Sequence, residues 1–213
     1  SIREGLAGEG AVLVPVFALG RTQEILAAIA LAMQSGELNR QPVYIGGLGR
    51  VFTEIYDLVS PRAPNMRLDL TLHESLDLQV LEAQKVNRMN LKGKLFVITA
   101  GMMSEHTMSH ELTVRMAPEE NHSILFVGYS APDTPGGALR AAPRGTPFTF
   151  SPSAGQLVRH CYMDNFDLSA HANREELVDF AVGMAPRTVI LGHGEPDSRD
   201  WIEADLRERL PRL

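Results

Sequence analysis

The sequence predicts an α/β fold: a doubly wound, mostly parallel sheet followed by a smaller α/β segment. Two observations carry this. Short apolar runs of strand length alternate with amphipathic stretches of helix length, and several strand ends pass into glycine-bearing loops. Ala11–Phe17 reads as a buried strand, and a Gly20-Arg21-Thr22 turn leads to a helix from about Gln23 to Met33, with Ile25, Leu26, Ile29 and Ala30 on one face. Val43–Ile45 is a second strand, followed through Gly46–Gly49 by a helix containing Val51, Phe52, Ile55, Tyr56 and Leu58. Residues 60–90 carry the weakest pattern: Pro61 and Pro64 break structure, and Ser75–Lys85 fits a helix. Leu95–Ile98 is a third strand, ending in Thr99-Ala100-Gly101 before a helix from about Thr107 to Met116. Ile124–Val127 is a fourth strand.

From Tyr129 to Gly155 the composition shifts to Pro, Gly, Ser and Ala, which reads as a boundary with long loops. Domains are therefore expected at 1–143 and 144–213. The second holds a strand at Leu157–Met163, a helix at Arg174–Val182, a strand at Thr188–Leu191 and a terminal helix from about Ser198 to Arg209. Asn173 and Glu176 have capping-box spacing at the start of the Arg174 helix.

With 213 residues and 44% hydrophobic content, the chain can bury a core of one large or two small domains. Its net charge of −6 counts against a simple polyanion-binding surface, although Arg140, Arg144, Arg159 and His160 fall in a stretch with few acids. The single cysteine, Cys161, excludes an internal disulfide and a cysteine-cluster metal site; it suits a reducing cytoplasm and reads as a small buried apolar residue. Asp, Glu, Arg or Pro interrupts every apolar run, so neither a signal peptide nor a membrane span is expected.

In open α/β sheets, ligands gather outside the carboxyl ends of the strands. Four loops are expected there: Ala18–Arg21, Gly101–Ser104, Gly128–Ala131 and Gly192–Glu195. Glycines allow close backbone approach to a phosphate and a following helix N-terminus favours an anion, so Arg21, Ser104, Tyr129 and Ser130 are candidate substrate- or phosphate-binding residues on one edge. His106 and His110 stand four apart on the expected helix. The zinc-protease pattern fails there, because Thr107 replaces the required glutamate, and His110 reads as packed. Gly47-Leu48-Gly49 lacks the third glycine of a dinucleotide fingerprint, since Phe52 stands in its place.

Five segments in order resemble the β-CASP metallo-β-lactamase RNA-processing nucleases, the family of RNase J and of the endonuclease subunit of the cleavage and polyadenylation specificity factor. They are Val14–Glu24, Gly101-Met102-Met103, Phe126–Pro132, Ser169-Ala170-His171 and His193-Gly194-Glu195. The resemblance covers about residue 10 to the end and implies a β-CASP sheet whose C-terminal segment returns to a metallo-β-lactamase fold. It implies that His193 is a zinc ligand, that the catalytic His171 contacts the scissile phosphate or assists proton transfer, and that Ser169 donates to phosphate. The implied complete enzyme cleaves RNA with a hydroxide held between two zinc ions.

The His-x-His-x-Asp-His cluster that supplies most zinc ligands in that family does not occur in this sequence, so the chain looks like the C-terminal part of a nuclease, inactive and without zinc when alone. Expected partners are RNA and the N-terminal metallo-β-lactamase part of the same protein, with a homodimer left open and no membrane. Glu105 and His106 stand where the family often has glycines, Gly46-Gly47-Leu48 where it often has Asp-Ser-Pro, and Asn173 where it often has Asp. A non-catalytic RNA-binding or assembly subunit derived from the family is the alternative. An unrelated phosphate- or nucleotide-binding module is a further one, against which the motif order along the chain argues.

Overall fold

A strand buried on both faces must sit in the middle of a sheet covered on both sides. β1 (Val12–Val16) is buried at every position, as its unbroken apolar run requires. The computed structural model describes residues 1–63, 70–168 and 171–211. In it β1 lies within a six-stranded parallel sheet with β2 (Val43–Gly46), β3 (Leu78–Val80), β4 (Leu95–Thr99), β5 (Ser123–Phe126) and β8 (Tyr162–Asn165), in the order β3-β2-β4-β1-β5-β8. An antiparallel hairpin of β6 (Pro147–Ser151) and β7 (Gly155–Val158) stands beside it. The helices of this unit are α1 (Ile2–Leu6), α2 (Arg21–Gln34), α3 (Leu48–Val59), α4 (Leu72–Ser75), α5 (Ala83–Val86), α6 (Met108–Met116) and α7 (Pro135–Ala141).

Side chains alternate across a strand, and here the alternation sorts two cores. Val12, Val14 and Val16 point with Val43, Ile45, Leu95 and Val97 toward Ile25, Leu26, Ile29 and Met33 of α2. Leu13 points with Phe96, Ile98, Ile124 and Phe126 toward Leu112 and Met116 of α6 and Leu139 of α7. Helices on both faces of a parallel sheet make the doubly wound α/β arrangement that the sequence predicts.

Pro15 gives the sheet its one asymmetry. Val12 N–H donates to Lys94 O on the β4 side, whereas Ala11 N–H donates to His122 on the β5 side. Backbone N–H direction alternates along a strand, so the proline nitrogen at position 15, which carries no hydrogen, faces β5. Pairing with β4 continues to Val16–Thr99, while pairing with β5 ends at Leu13–Ile124. The two strands part at their carboxyl ends.

Several elements differ from the sequence expectation. The stretch 75–85 is not one helix: the edge strand β3 lies within it, three residues long and too short to show a period. The glycine-rich stretch after Tyr129 is ordered. Thr134 Oγ1 accepts Gly137 N–H at 3.2 Å to cap α7, Pro135 takes the first turn, and a Cβ at Gly137 would lie 2.1 Å from Ala131 O. Those glycines serve close packing, which composition alone reads as loop. Leu157–Met163 is divided between β7 and β8, with buried Cys161 between them; burial pushes its thiol up to about 11.

α3 inverts the usual polarity of an amphipathic helix. Its buried residues are Gly49 and Thr53. Thr53 Oγ1 donates to Gly49 O and accepts from Gln23 Nε2 at 3.1 Å, while Leu48, Val51, Ile55 and Leu58 are exposed.

Chain contacts divide into two units, Ser1–Asp167 and Leu168–Leu213. The second holds α8 (Arg174–Met184) and α9 (Pro196–Arg209). Thr188–Leu191, expected as a strand, is unpaired in this structure, with Ile190 89% exposed. A strand is defined by its neighbour, and no partner strand lies in this unit among the described residues. No described helix is long and apolar enough to cross a membrane.

His122 ties the start of β1 to β5, its Nδ1 accepting Ala11 N–H at 3.0 Å. Burial holds its pKa below the ordinary histidine value, as it does that of buried His110. A folded pKa below the unfolded one gives stability that is complete above about pH 6.5 and is lost as pH falls toward the depressed value. Denaturant titrations should therefore show stability declining below about pH 6.5, less steeply in His122→Asn, whose amide oxygen can accept the same N–H without titrating. An unchanged slope would refute the assignment.

Candidate functional site

The loops after β1, β4 and β5 leave the sheet at one carboxyl edge, because these three strands are parallel neighbours. There Pro15, Val16, Phe17 and Arg21 of the first loop region, Gly101 of the second, and Gly128, Tyr129 and Ser130 of the third line one crevice where β1 and β5 part. Ser104 follows β4 in the same direction but is not among the lining residues; it is exposed.

Each loop is held by its own bonds. Gly20, at φ 78°, donates its N–H to Gln23 Oε1 at 2.8 Å, and Thr22 Oγ1 donates to Phe17 O at 2.7 Å. Arg21 opens α2 and pairs with Glu24 one turn on, so its guanidinium steadies the helix while standing in the crevice wall. Ser130 is buried, and its hydroxyl donates to Gly101 O at 3.3 Å, joining two loops. Tyr129 is half-exposed. Ser104 O accepts Thr107 Oγ1 at 2.6 Å, and Thr107 in turn caps α6.

Arg140, noted in the sequence only as one of a basic stretch, donates to Gly128 O at 3.1 Å and lies over the Phe126 ring. It brings a second cation to this wall. Arg144 and Arg159 donate instead to the carbonyls of His160 and Ala142.

His106 and His110 do not share a helix face. His106 precedes α6 with φ 63°, whereas His110 is packed as expected, its Nε2 2.8 Å from Ser151 Oγ and its ring stacked on Phe150.

In the second unit, His171 is exposed just before the α8 cap, and Ser169 lies outside the described residues. Asn173 and Glu176 form the reciprocal capping box: Asn173 Oδ1 accepts Glu176 N–H and Glu176 Oε2 accepts Asn173 N–H, both at 2.8 Å. His193 sits between Gly192 and Gly194 at φ 68°, a left-handed conformation uncommon outside glycine. Glu195 and Pro196 then start α9. Zinc takes three or four protein ligands. Among the described residues no three His, Cys, Asp or Glu side chains are grouped to hold a metal.

Comparison with known proteins now adds identity to the geometry. The β-CASP domain model matches residues 22–139, more than half the chain, and the protein belongs to that family. The Zn-dependent metallo-hydrolase RNA specificity domain matches residues 157–211, which include His171 and His193. The chain is 25% identical to endoribonuclease YSH1 of Candida glabrata over 92% of its length and 27% of that protein. It is 27% identical to transcription termination factor FttA of Cenarchaeum symbiosum, covering 99% of the chain and 35% of that protein. RNase aCSPSF2 of Saccharolobus solfataricus is 28% identical, with 96% and 39% covered. The chain thus spans 27% to 39% of the length of these relatives.

Sequence reasoning did not find the contacts that hold the Gly101–Thr107 loop. Glu105 accepts Ser153 N–H at 2.7 Å across 48 positions of sequence, a separation that leaves no local signature.

The capping box fixes where the chain enters α8 directly after His171. Asn173→Ala should cost about 1 kcal/mol of local helix stability. The measurement is amide hydrogen exchange, expected to accelerate at residues 174–177 and to stay unchanged in β1. Equal exchange in both proteins would show that the cap contributes nothing.

Proposed function

We propose that this chain is the β-CASP and RNA-specificity portion of a zinc-dependent ribonuclease that hydrolyses RNA phosphodiester bonds. The supporting observation is that an RNA-specificity segment of a zinc-dependent metallo-hydrolase family covers both His171 and His193, with His193 exposed on a left-handed turn. The printed names of the relatives, endoribonuclease and RNase, agree with it.

In this reading His193 is one zinc ligand, and the others, with both metal ions of the complete site, belong to an N-terminal metallo-β-lactamase part. His171 acts on the scissile phosphate or its proton, and Ser169 donates to phosphate. Arg21, Ser104, Tyr129 and Ser130 border the groove for the RNA backbone, at an edge where helix N-termini favour an anion. This reading sets the functional division at 143/144, a position compatible with matched segments at 22–139 and 157–211. A reducing cytoplasm suits the single buried thiol.

The full-length protein provides the test. His193→Gly preserves the left-handed turn, so any loss of zinc reports the imidazole alone; zinc occupancy by elemental analysis should fall in it and in His193→Ala. His171→Ala should keep its metal and lose about 10²-fold or more in turnover. Equal loss of metal in both positions would show the roles wrongly divided. A wild-type protein that binds RNA yet holds no zinc and cleaves nothing would instead establish a non-catalytic RNA-binding subunit.

The 213-residue chain by itself should lose any zinc to a mild chelator and leave RNA intact, since this reading assigns it His193 as a ligand and zinc takes three or four. Stoichiometric zinc surviving dialysis, or metal-dependent cleavage, would overturn the proposed division of the site.

A further inference from the structure

The loop that follows β4 has an unusual backbone. Met103 and His106 take left-handed φ values of 54° and 63°, and between them stand Ser104 and Glu105. Neither left-handed residue is a glycine, so the conformation persists only where surrounding contacts impose it. Inside, Met103 is fully buried, with Thr113 Oγ1 3.2 Å from its sulfur. Outside, the restraint comes from the β6–β7 hairpin.

Glu105 reaches the tip of that hairpin. Its Oε1 accepts Ser153 N–H at 2.7 Å, and the hydroxyls of Ser153 and Ser151 favour its charge. Ser151 Oγ lies 2.8 Å from His110 Nε2 in α6 and accepts Ala154 N–H at 3.1 Å. The hairpin is therefore bonded both to the loop, through Glu105, and to the helix that ends the loop, through His110. Phe150, buried and stacked on the His110 ring at 5.0 Å, fixes the hairpin to the same helix. Together these contacts close a ring around residues 101–107.

Glu105 and Ser153 have no part in the sheet or in either hydrophobic core. The bonds from Ser153, with His106 nearby, hold the Glu105 carboxyl below the ordinary carboxylate range, so the clamp is charged at neutral pH.

We propose that Glu105 is a positioning residue: it clamps the Gly101–Thr107 loop to the β6–β7 hairpin and so fixes where Ser104 meets a phosphate of the RNA. The assignment rests on the ribonuclease reading above. The side chain itself touches no substrate; it acts through the loop. The carboxylate form matters, because Ser153 N–H bonds it and the serine hydroxyls favour its charge. Glutamine keeps the length and loses the charge and one acceptor.

The test uses the full-length enzyme with a short RNA. Glu105→Gln should raise KM about tenfold, the scale of one hydrogen bond to a charged group, with kcat and zinc content unchanged. Ser151→Ala removes the hydroxyl shared with His110, and the double variant should show less than the product of the two single effects on KM. Hydrogen exchange should quicken at residues 102–107 in Glu105→Gln and stay constant in β1. An unchanged KM overturns the proposal, as does a parallel fall of kcat, zinc and thermal stability. Failure of the ribonuclease reading is recognised separately, by a wild-type enzyme that cleaves no RNA. In that event exchange at residues 102–107 decides: faster exchange in the variant supports the clamp, and unchanged exchange overturns it.

Discussion

The first unit depends on β1 being covered on both faces. Val12, Val14 and Val16 close one core and Leu13 the other, so one five-residue strand is shared by two hydrophobic clusters, as its neighbours β4 and β5 are. A buried methylene is worth about 0.8 kcal/mol, and the completely buried Leu13, Phe96, Ile98 and Ile124 stack that contribution on neighbouring strands. Parallel pairing then forces every loop after β1, β4 and β5 to the same edge. The position of the candidate groove is a consequence of strand direction before any loop residue is considered.

Much of this was legible because burial on both faces leaves a plain trace. Uninterrupted apolar runs marked β1, β2, β4 and β5, and the 3.6-residue period marked α2. The Asn173–Glu176 spacing marked a cap that both side chains complete. Elements whose residues are chosen for other reasons were hidden. β3 is a short edge strand, α7 uses glycine where the chain passes against Ala131, and the β6–β7 hairpin lies in a stretch whose Pro and Gly content resembles a linker. Ile190 and its neighbours show the opposite limit: their pattern is that of a strand, but a strand also needs a partner.

The candidate site divides in the same way. Motif order identified the family and the histidine turns, since these are local in sequence. The carboxyl-edge loops were found by topology, and Arg21, Tyr129 and Ser130 do line one crevice. Arg21 also has its own partner in Glu24, so structural support and edge position coincide in one side chain. The clamp through Glu105, Ser153 and His110 was invisible, because its members come from three elements that only the folded chain brings together.

Pro15 has one more consequence. Its missing N–H separates β1 from β5 at the carboxyl edge, so the crevice is opened by the covalent structure of an imino acid and walled by the ends of strands. Strands anchored in a shared core do not hinge as a lid does. The spacing of that wall was set when the sheet formed. The opening is therefore preformed, and any change in its shape is left to the loops above it.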